Sequence, residues 1–184
     1  EPAVGVLLRL AAALEVDLVG APTDCVAEPR QGAAALCQAK LEIQPEASVF
    51  ERNLSAVAAQ SGRPKPAILN DLAELRALDA DVGKGDWSAK ALKRAESLSL
   101  RRPAFLKARF IYGSLLLANG RPAQAVVELE GVVARNPGQA APRVNLANAY
   151  LALGRPEDAR TQLRAALALE PGNASLRARL AAIR

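Results

Sequence analysis

One hexapeptide occurs twice in this chain with four of its six residues unchanged, and the interval between the copies limits the fold more than any other feature. Gly120-Arg121-Pro122-Ala123-Gln124-Ala125 returns as Gly154-Arg155-Pro156-Glu157-Asp158-Ala159, a shift that carries position 120 onto position 154. The same shift extends outward: Gly113 matches Ala147, Leu116 matches Tyr150, Leu129 matches Leu163, Val132 matches Ala166 and Pro137 matches Pro171. A unit this short cannot enclose a core alone, so it must bury its apolar face against a neighbouring copy.

The content of one unit follows from residue spacing. Tyr112, Gly113 and Leu116, like Leu146, Ala147 and Tyr150, lie at i, i+1 and i+4, one stripe of a helix that ends at Gly120 or Gly154. A second helix begins near Pro122 or Pro156, where the missing N–H of proline would be unpaired in any case. It presents Ala125, Leu129 and Val132, or Ala159, Leu163 and Ala166, and stops around Pro137 or Pro171. Gly113, Ala147, Ala125 and Ala159 are small enough for two antiparallel helices to approach closely, with Leu and Tyr filling the space beside them. Each unit is a helical hairpin. Composition agrees: 51% of residues are hydrophobic but only 3% are aromatic, and the apolar content is carried by 40 Ala and 28 Leu, which suits packed helices and not a β-sandwich or barrel.

These positions resemble the tetratricopeptide repeat, W-x2-L-G-x2-Y followed by A-x3-F and a proline. In residues 140–173 the matching positions are Leu146, Ala147, Tyr150, Gly154, Ala159, Leu163, Ala166 and Pro171, with Arg143 in place of the aromatic. In residues 106–139 they are Tyr112, Gly113, Leu116, Gly120, Ala125, Leu129, Val132 and Pro137. The resemblance implies an all-α, right-handed solenoid of antiparallel helical hairpins. A degraded repeat precedes these: Gly85-Asp86-Trp87 looks like the Gly-Asp-Tyr that opens the family's second helix, and Ala91 and Pro103 stand one period before Ala125 and Pro137. Gly85 to Ala91 is one residue longer than Gly120 to Ala125, so the start of that helix must be adjusted. Its partner is expected over Pro66–Ala80, with Leu69, Leu72, Leu75 and Leu78 at intervals of three. The expected division is a 66–173 repeat array (66–105 degenerate, 106–139 and 140–173 clear), with 174–184 as a capping helix carrying Leu176, Leu180 and Ile183 on one face.

Residues 1–65 do not follow the period. Val4–Val16 is a helix candidate, Ala33–Gln44 is a second although Leu36–Ile43 also alternates as a strand would, and Glu46–Gln60 is a third with Phe50, Leu54, Val57 and Ala58 at helical spacing. They are either diverged hairpins or a small separate domain. Cys25 and Cys37, the only cysteines, fall here, twelve apart across a loop containing Pro and Gly. That placement suits a disulfide, worth about 3 kcal/mol by chain entropy, while two buried thiols are the alternative. A disulfide would imply an extracytoplasmic compartment.

Several chemistries are excluded or disfavoured. The chain has no His, which removes imidazole acid–base catalysis, Ser-His-Asp and Cys-His arrangements and His-dependent zinc sites. No paired-carboxylate motif, Gly-rich phosphate loop or nucleophile elbow is visible, so no enzyme, cofactor or metal is expected. No stretch approaches the roughly 20 apolar residues of a membrane helix. The chain lacks Met and opens at Glu1-Pro2, so its original start, with any leader or anchor, is expected to lie upstream. Charge is divided: residues 1–100 hold 11 Lys+Arg against 14 Asp+Glu, and 101–184 hold 13 against 5. The arginines are scattered among Ala and Leu without aromatics to stack bases, so a solvated face is expected and nucleic-acid binding is not.

In the family, the first helices of stacked hairpins line a concave groove that holds a peptide. The resemblance places Lys107, Phe110, Ser114 and Leu117, then Ala141, Val144, Asn145, Asn148 and Ala152, at inward positions, with Arg179 from the cap. Amides such as Asn145 and Asn148 can bond both N–H and C=O of a bound backbone. Family members that grip a chaperone's acidic C-terminus carry Lys and Asn where this chain has Phe110 and Ser114, so that specificity is not expected. The function implied is a non-enzymatic scaffold that binds a protein or peptide partner. The Ala-, Leu- and Arg-rich repeats with their GRPxxA segments resemble those of bacterial envelope proteins that assemble pili, secretion systems or polysaccharide exporters. A periplasmic or outer-envelope location is expected on that basis, with the cytoplasm as the alternative. The competing function is a regulatory or targeting module of a larger enzyme.

Overall fold

The computed structural model describes residues 33–43, 45, 48–60 and 66–183. Among them are nine helices and no strand: α1 Ala33–Ile43, α2 Ser48–Gln60, α3 Ala67–Gly83, α4 Ala89–Arg101, α5 Leu106–Ala118, α6 Pro122–Arg135, α7 Ala140–Ala152, α8 Pro156–Leu169 and α9 Ala174–Ala182. The expectation of an all-α chain holds. The choice between helix and strand near residue 40 resolves to α1, whose Cys37 and Leu41 are fully buried. The Val4–Val16 candidate and Cys25 lie outside the described residues.

The chain forms two compact units, Glu1–Leu72 and Ala73–Arg184, divided within α3. In the first, α1 packs against α2, which contributes the buried Leu54. In the second, α4 packs on α5, α5 on α6, α6 on α7, α7 on α8 and α8 on α9, a solenoid in which each helix meets its sequence neighbours. The helix before α4 was expected over Pro66–Ala80 and runs over Ala67–Gly83, and all four of its leucines at intervals of three are buried.

The period is visible in the backbone. The first helix of each hairpin ends on a glycine in the left-handed region: Gly85 at φ +93, Gly120 at +72 and Gly154 at +71. Around each glycine a nested pair of bonds satisfies carbonyls that the helix leaves free: Asp86 N–H to Asp81 C=O, Arg121 N–H to Leu116 C=O and Arg155 N–H to Tyr150 C=O, each at 2.9 Å, enclose a bond from the glycine N–H to the carbonyl three residues back. Second helices close equally regularly, Arg102 N–H on Leu98, Asn136 N–H on Val132 and Glu170 N–H on Ala166, just before Pro103, Pro137 and Pro171.

The extra residue after Gly85 is absorbed by a cap. Where α6 and α8 begin with a proline and no side-chain cap, α4 is preceded by Ser88, whose hydroxyl accepts from Ala91 N–H at 3.2 Å. Asp86 in turn accepts from Ser88 N–H at 3.0 Å, and its hydrogen bonds with Ser88 hold its carboxyl below the ordinary value.

Within a hairpin the small residues do what the spacing implied. A Cβ on Gly113 would stand 2.8 Å from Leu129 Cγ and 3.0 Å from its Cδ2, so α5 and α6 touch through a bare backbone. The position where the family has an aromatic is arginine twice. Arg109 reaches Glu128 at 3.1 Å across α5 and α6, and Arg143 reaches Gln162 at 3.3 Å across α7 and α8. In the degraded repeat the polarity is reversed: Arg94 of α4 pairs with Glu74 at 2.8 Å and Asp81 at 2.7 Å on α3, and these partners raise its guanidinium pKa.

Candidate functional site: the face of the first helices

α5, α7 and α9 form one layer. α5 touches α7 directly, and side chains bridge both intervals. On α5, Lys107, Phe110, Ser114 and Leu117 are spaced 3, 4 and 3 apart and share a face, turned from the Gly113/Leu116 stripe that meets α6. On α7, Val144 and Asn148 stand one period from Phe110 and Ser114, and Asn145 lies beside Val144, one period from the buried Ile111.

Seven of the eight predicted contact residues are half-buried, and Ser114 is buried. Its hydroxyl donates to Phe110 C=O at 2.8 Å and accepts from Asn145 Nδ2 at 2.8 Å, so it is committed to the joint between hairpins. One repeat later the same positions are Asn148 and Arg179, and the guanidinium of Arg179 donates to Asn148 Oδ1. Both bridges therefore span 31 residues, and each member lies one period from its counterpart. Lys107 is drawn off to Asp79 of α3 at 2.7 Å, an exposed pair of small energetic weight. Phe110, Leu117 and Val144 supply apolar surface. Among the described residues Asn145 Oδ1 and Asn148 Nδ2 have no hydrogen-bond partner, leaving one acceptor and one donor, three residues apart, beside Phe110.

Behind this layer the joints are closed by tyrosines. Tyr112 donates to Glu96 at 3.2 Å, and Tyr150 donates to Glu130. Burial, then the hydrogen bond to Glu130, pushes the Tyr150 phenol up to about 12, and the Arg155 guanidinium stacks over its ring at 4.6 Å. Burial beside Glu96 likewise raises Tyr112. Phe105, just before α5, was missed by sequence reasoning and is fully buried. Gln139 and Asn173 hold the equivalent places, so the period gave no signal for it; only the rarity of aromatics did. Among the described residues no group of three His, Cys, Asp or Glu could hold a metal ion, and no helix is long and apolar enough to cross a membrane.

The tetratricopeptide-repeat family model matches residues 116–183, the segment that holds the glycine turns at 120 and 154, the Arg143–Gln162 tie and the Asn148–Arg179 bridge. Residues 116–183 are tetratricopeptide repeats. Solved structures of similar fold are repeat proteins of this family too. MamA from Desulfovibrio magneticus RS-1 aligns at 21% identity and a TM-score of 0.55, covering 80% of this chain and 81% of that one. The tetratricopeptide-repeat domain of P58(IPK) aligns at 15% identity and 0.56, covering 81% of this chain and 49% of that one. YrrB, described as having an unusual peptide-binding site, aligns at 17% and 0.52 over 97% of this chain and 89% of its own. No curated protein matches the sequence. The fold is thus that of protein-interaction scaffolds, whose stacked repeats present extended binding surfaces.

Proposed function

We propose that the face of α5, α7 and α9 binds an extended segment of a partner protein, without catalysis. The observation that carries this reading is the pair of unengaged amide atoms, Asn145 Oδ1 and Asn148 Nδ2, next to a half-buried Phe110. An acceptor and a donor at that separation match the N–H and C=O of a peptide backbone, and the phenyl ring supplies an apolar contact for one side chain. Leu117 and Val144 extend the apolar surface, and Lys107, Ser114 and Arg179 flank it. The excess of basic residues after position 100 favours a partner segment with acidic character. YrrB, similar in fold, is a peptide binder by description, which supports the class of ligand.

The partner belongs, in this proposal, to an envelope assembly of the pilus, secretion or polysaccharide-export kind, and the chain works in the periplasm or at the outer envelope. Support comes from the character of the repeats and from Cys37, a buried cysteine that is not a free thiol. Cys25 is the only other cysteine, and we assign the pair to a disulfide. Thiol titration of denatured, unreduced protein should find no free cysteine; two would remove both the disulfide and the argument for the compartment. For the binding face, affinity capture with wild type and with a Phe110→Ala, Asn148→Ala variant should differ in the partners recovered. Identical sets would exclude that face.

A further inference from the structure

The positive charge of the repeats is gathered on one edge. Helices α4 to α9 alternate in direction, so each second helix hands over to the next first helix at the same end of the layer. The three handover stretches are 100–109, 134–143 and 168–177. The first holds Arg101, Arg102, Lys107 and Arg109, the second Arg135 and Arg143, and the third Arg177 together with Glu170, the one carboxylate among them. The stretches in between, 110–133 and 144–167, hold four arginines against four carboxylates. Carbonyl ends of α4, α6 and α8 and amide ends of α5, α7 and α9 meet on this edge, so the helix dipoles offset one another and the side chains set the sign.

Two of these cations are neutralised, Lys107 by Asp79 and Arg109 by Glu128. Arg135, Arg143 and Arg177 meet no carboxylate among the described residues. Arg135 Nη1 donates to Pro103 C=O at 2.9 Å, Arg143 Nη2 to Pro137 C=O at 3.0 Å, and Arg177 Nη2 to Gly172 C=O at 3.4 Å. Neutral acceptors hold these guanidiniums without cancelling their charge. The Arg135 bond also crosses from the second handover to the first, which sets the two side by side as a continuous edge. Apolar side chains stand among the charges. Leu100, 77% exposed, is the most exposed large hydrophobic residue described, and Leu169, 41% exposed, occupies the place of Arg135 one period on. Phe105, the one aromatic in these stretches, is fully buried, so no ring is available to stack a base. The cations recur with the period instead of converging on one point, which suits a surface of many phosphates, and exposed leucines beside arginines suit its headgroup layer.

We propose that this edge lies on an anionic lipid surface, with Arg135, Arg143 and Arg177 against the phosphate headgroups and Leu100 and Leu169 entering between them. The site is separate from the peptide-binding face and does not depend on it. The full chain should sediment with sucrose-loaded vesicles of equal parts phosphatidylcholine and phosphatidylglycerol and stay in solution with phosphatidylcholine alone. Salt at about 1 M, where the Debye length is about 3 Å, should release it. Arg135→Gln, Arg143→Gln and Arg177→Gln together should weaken binding about a hundredfold, at about fivefold per charge. Lysine at the same three positions keeps the charge but not the geometry of the guanidinium bonds, and should stay within about threefold of wild type. Leu100→Ser with Leu169→Ser, both at exposed positions, should weaken binding about tenfold. The Phe110→Ala, Asn148→Ala variant should bind the vesicles as wild type does. The proposal is overturned by any of five results: no sedimentation with the anionic vesicles, equal sedimentation with phosphatidylcholine alone, a glutamine triple that binds as wild type, a lysine triple that binds no better than the glutamine one, or tighter binding to duplex DNA or polyglutamate than to the vesicles.

Discussion

Gly113→Ala sets two effects of opposite sign against each other. Alanine is favoured over glycine in a helix interior by about 1 kcal/mol, so α5 considered alone would gain stability. In the hairpin the new methyl would lie 2.8 Å from Leu129 Cγ, a branch point and not a flexible tip, and Leu129 is fully buried with no room to swing away. Forcing a methyl into a packed site costs about 1–3 kcal/mol. The substitution should therefore destabilise by up to about 2 kcal/mol in spite of its helix propensity. The control is Leu129→Ala. It should cost about 2–5 kcal/mol alone but removes the obstacle, so adding Gly113→Ala to it should recover about 1 kcal/mol. The sign of one substitution reverses between the two backgrounds, a coupling of about 1–3 kcal/mol. Urea unfolding of the four proteins, followed by circular dichroism, measures it. If Gly113→Ala stabilises the wild-type background by the full propensity gain, α5 and α6 are not in close backbone contact and the account of the small residues fails.

Other outcomes are specific to single features. Gly120→Ala and Gly154→Ala should each cost about 1–2 kcal/mol because their φ of +72 and +71 penalises a Cβ, whereas Gly172→Ala, with open space around it and ordinary φ, should stay within about 0.5 kcal/mol. Phe105→Ala should lose about 3–5 kcal/mol, measured as a drop in urea midpoint, although no repeat position marks it. Tyr150 has a folded pKa raised from 10.0 to about 12, so its contribution is complete below pH 10 and disappears as pH climbs through 12. The stability of wild type relative to Tyr150→Phe should consequently fall across that window, by at most about 3 kcal/mol; a pH-independent difference would mean that the phenol is not held neutral by its burial and by Glu130.

Most of the array was legible because its determinants are local. Glycines that need positive φ, prolines that stop helices and small residues spaced for close approach act within one hairpin, and the period repeats them. What escaped depends on contacts between hairpins. Ser114 was chosen for ligand contact from its place on the helix face, but Asn145, 31 residues away, takes up its hydroxyl. The same holds for the Asn148 oxygen, which Arg179 occupies. Arg143 read as a departure from the family pattern, and only the fold shows it tying two helices where an aromatic would have packed. The extra residue before α4 shows in the residue count, but the serine cap braced by Asp86 that absorbs it depends on how the turn closes.

The tyrosine joints carry information about order. Glu96 and Glu130 stand one period apart, at the same place in successive second helices, yet Tyr112 and Tyr150 approach them from positions one helical turn apart. The next residue in the glutamate series is Arg164. If residues 106–139 and 140–173 were exchanged, Tyr150 would still meet Glu96, but Tyr112 would be set against Arg164. The two hairpins share a backbone plan and are not interchangeable modules: their sequence along the solenoid is encoded in which joint finds a carboxylate.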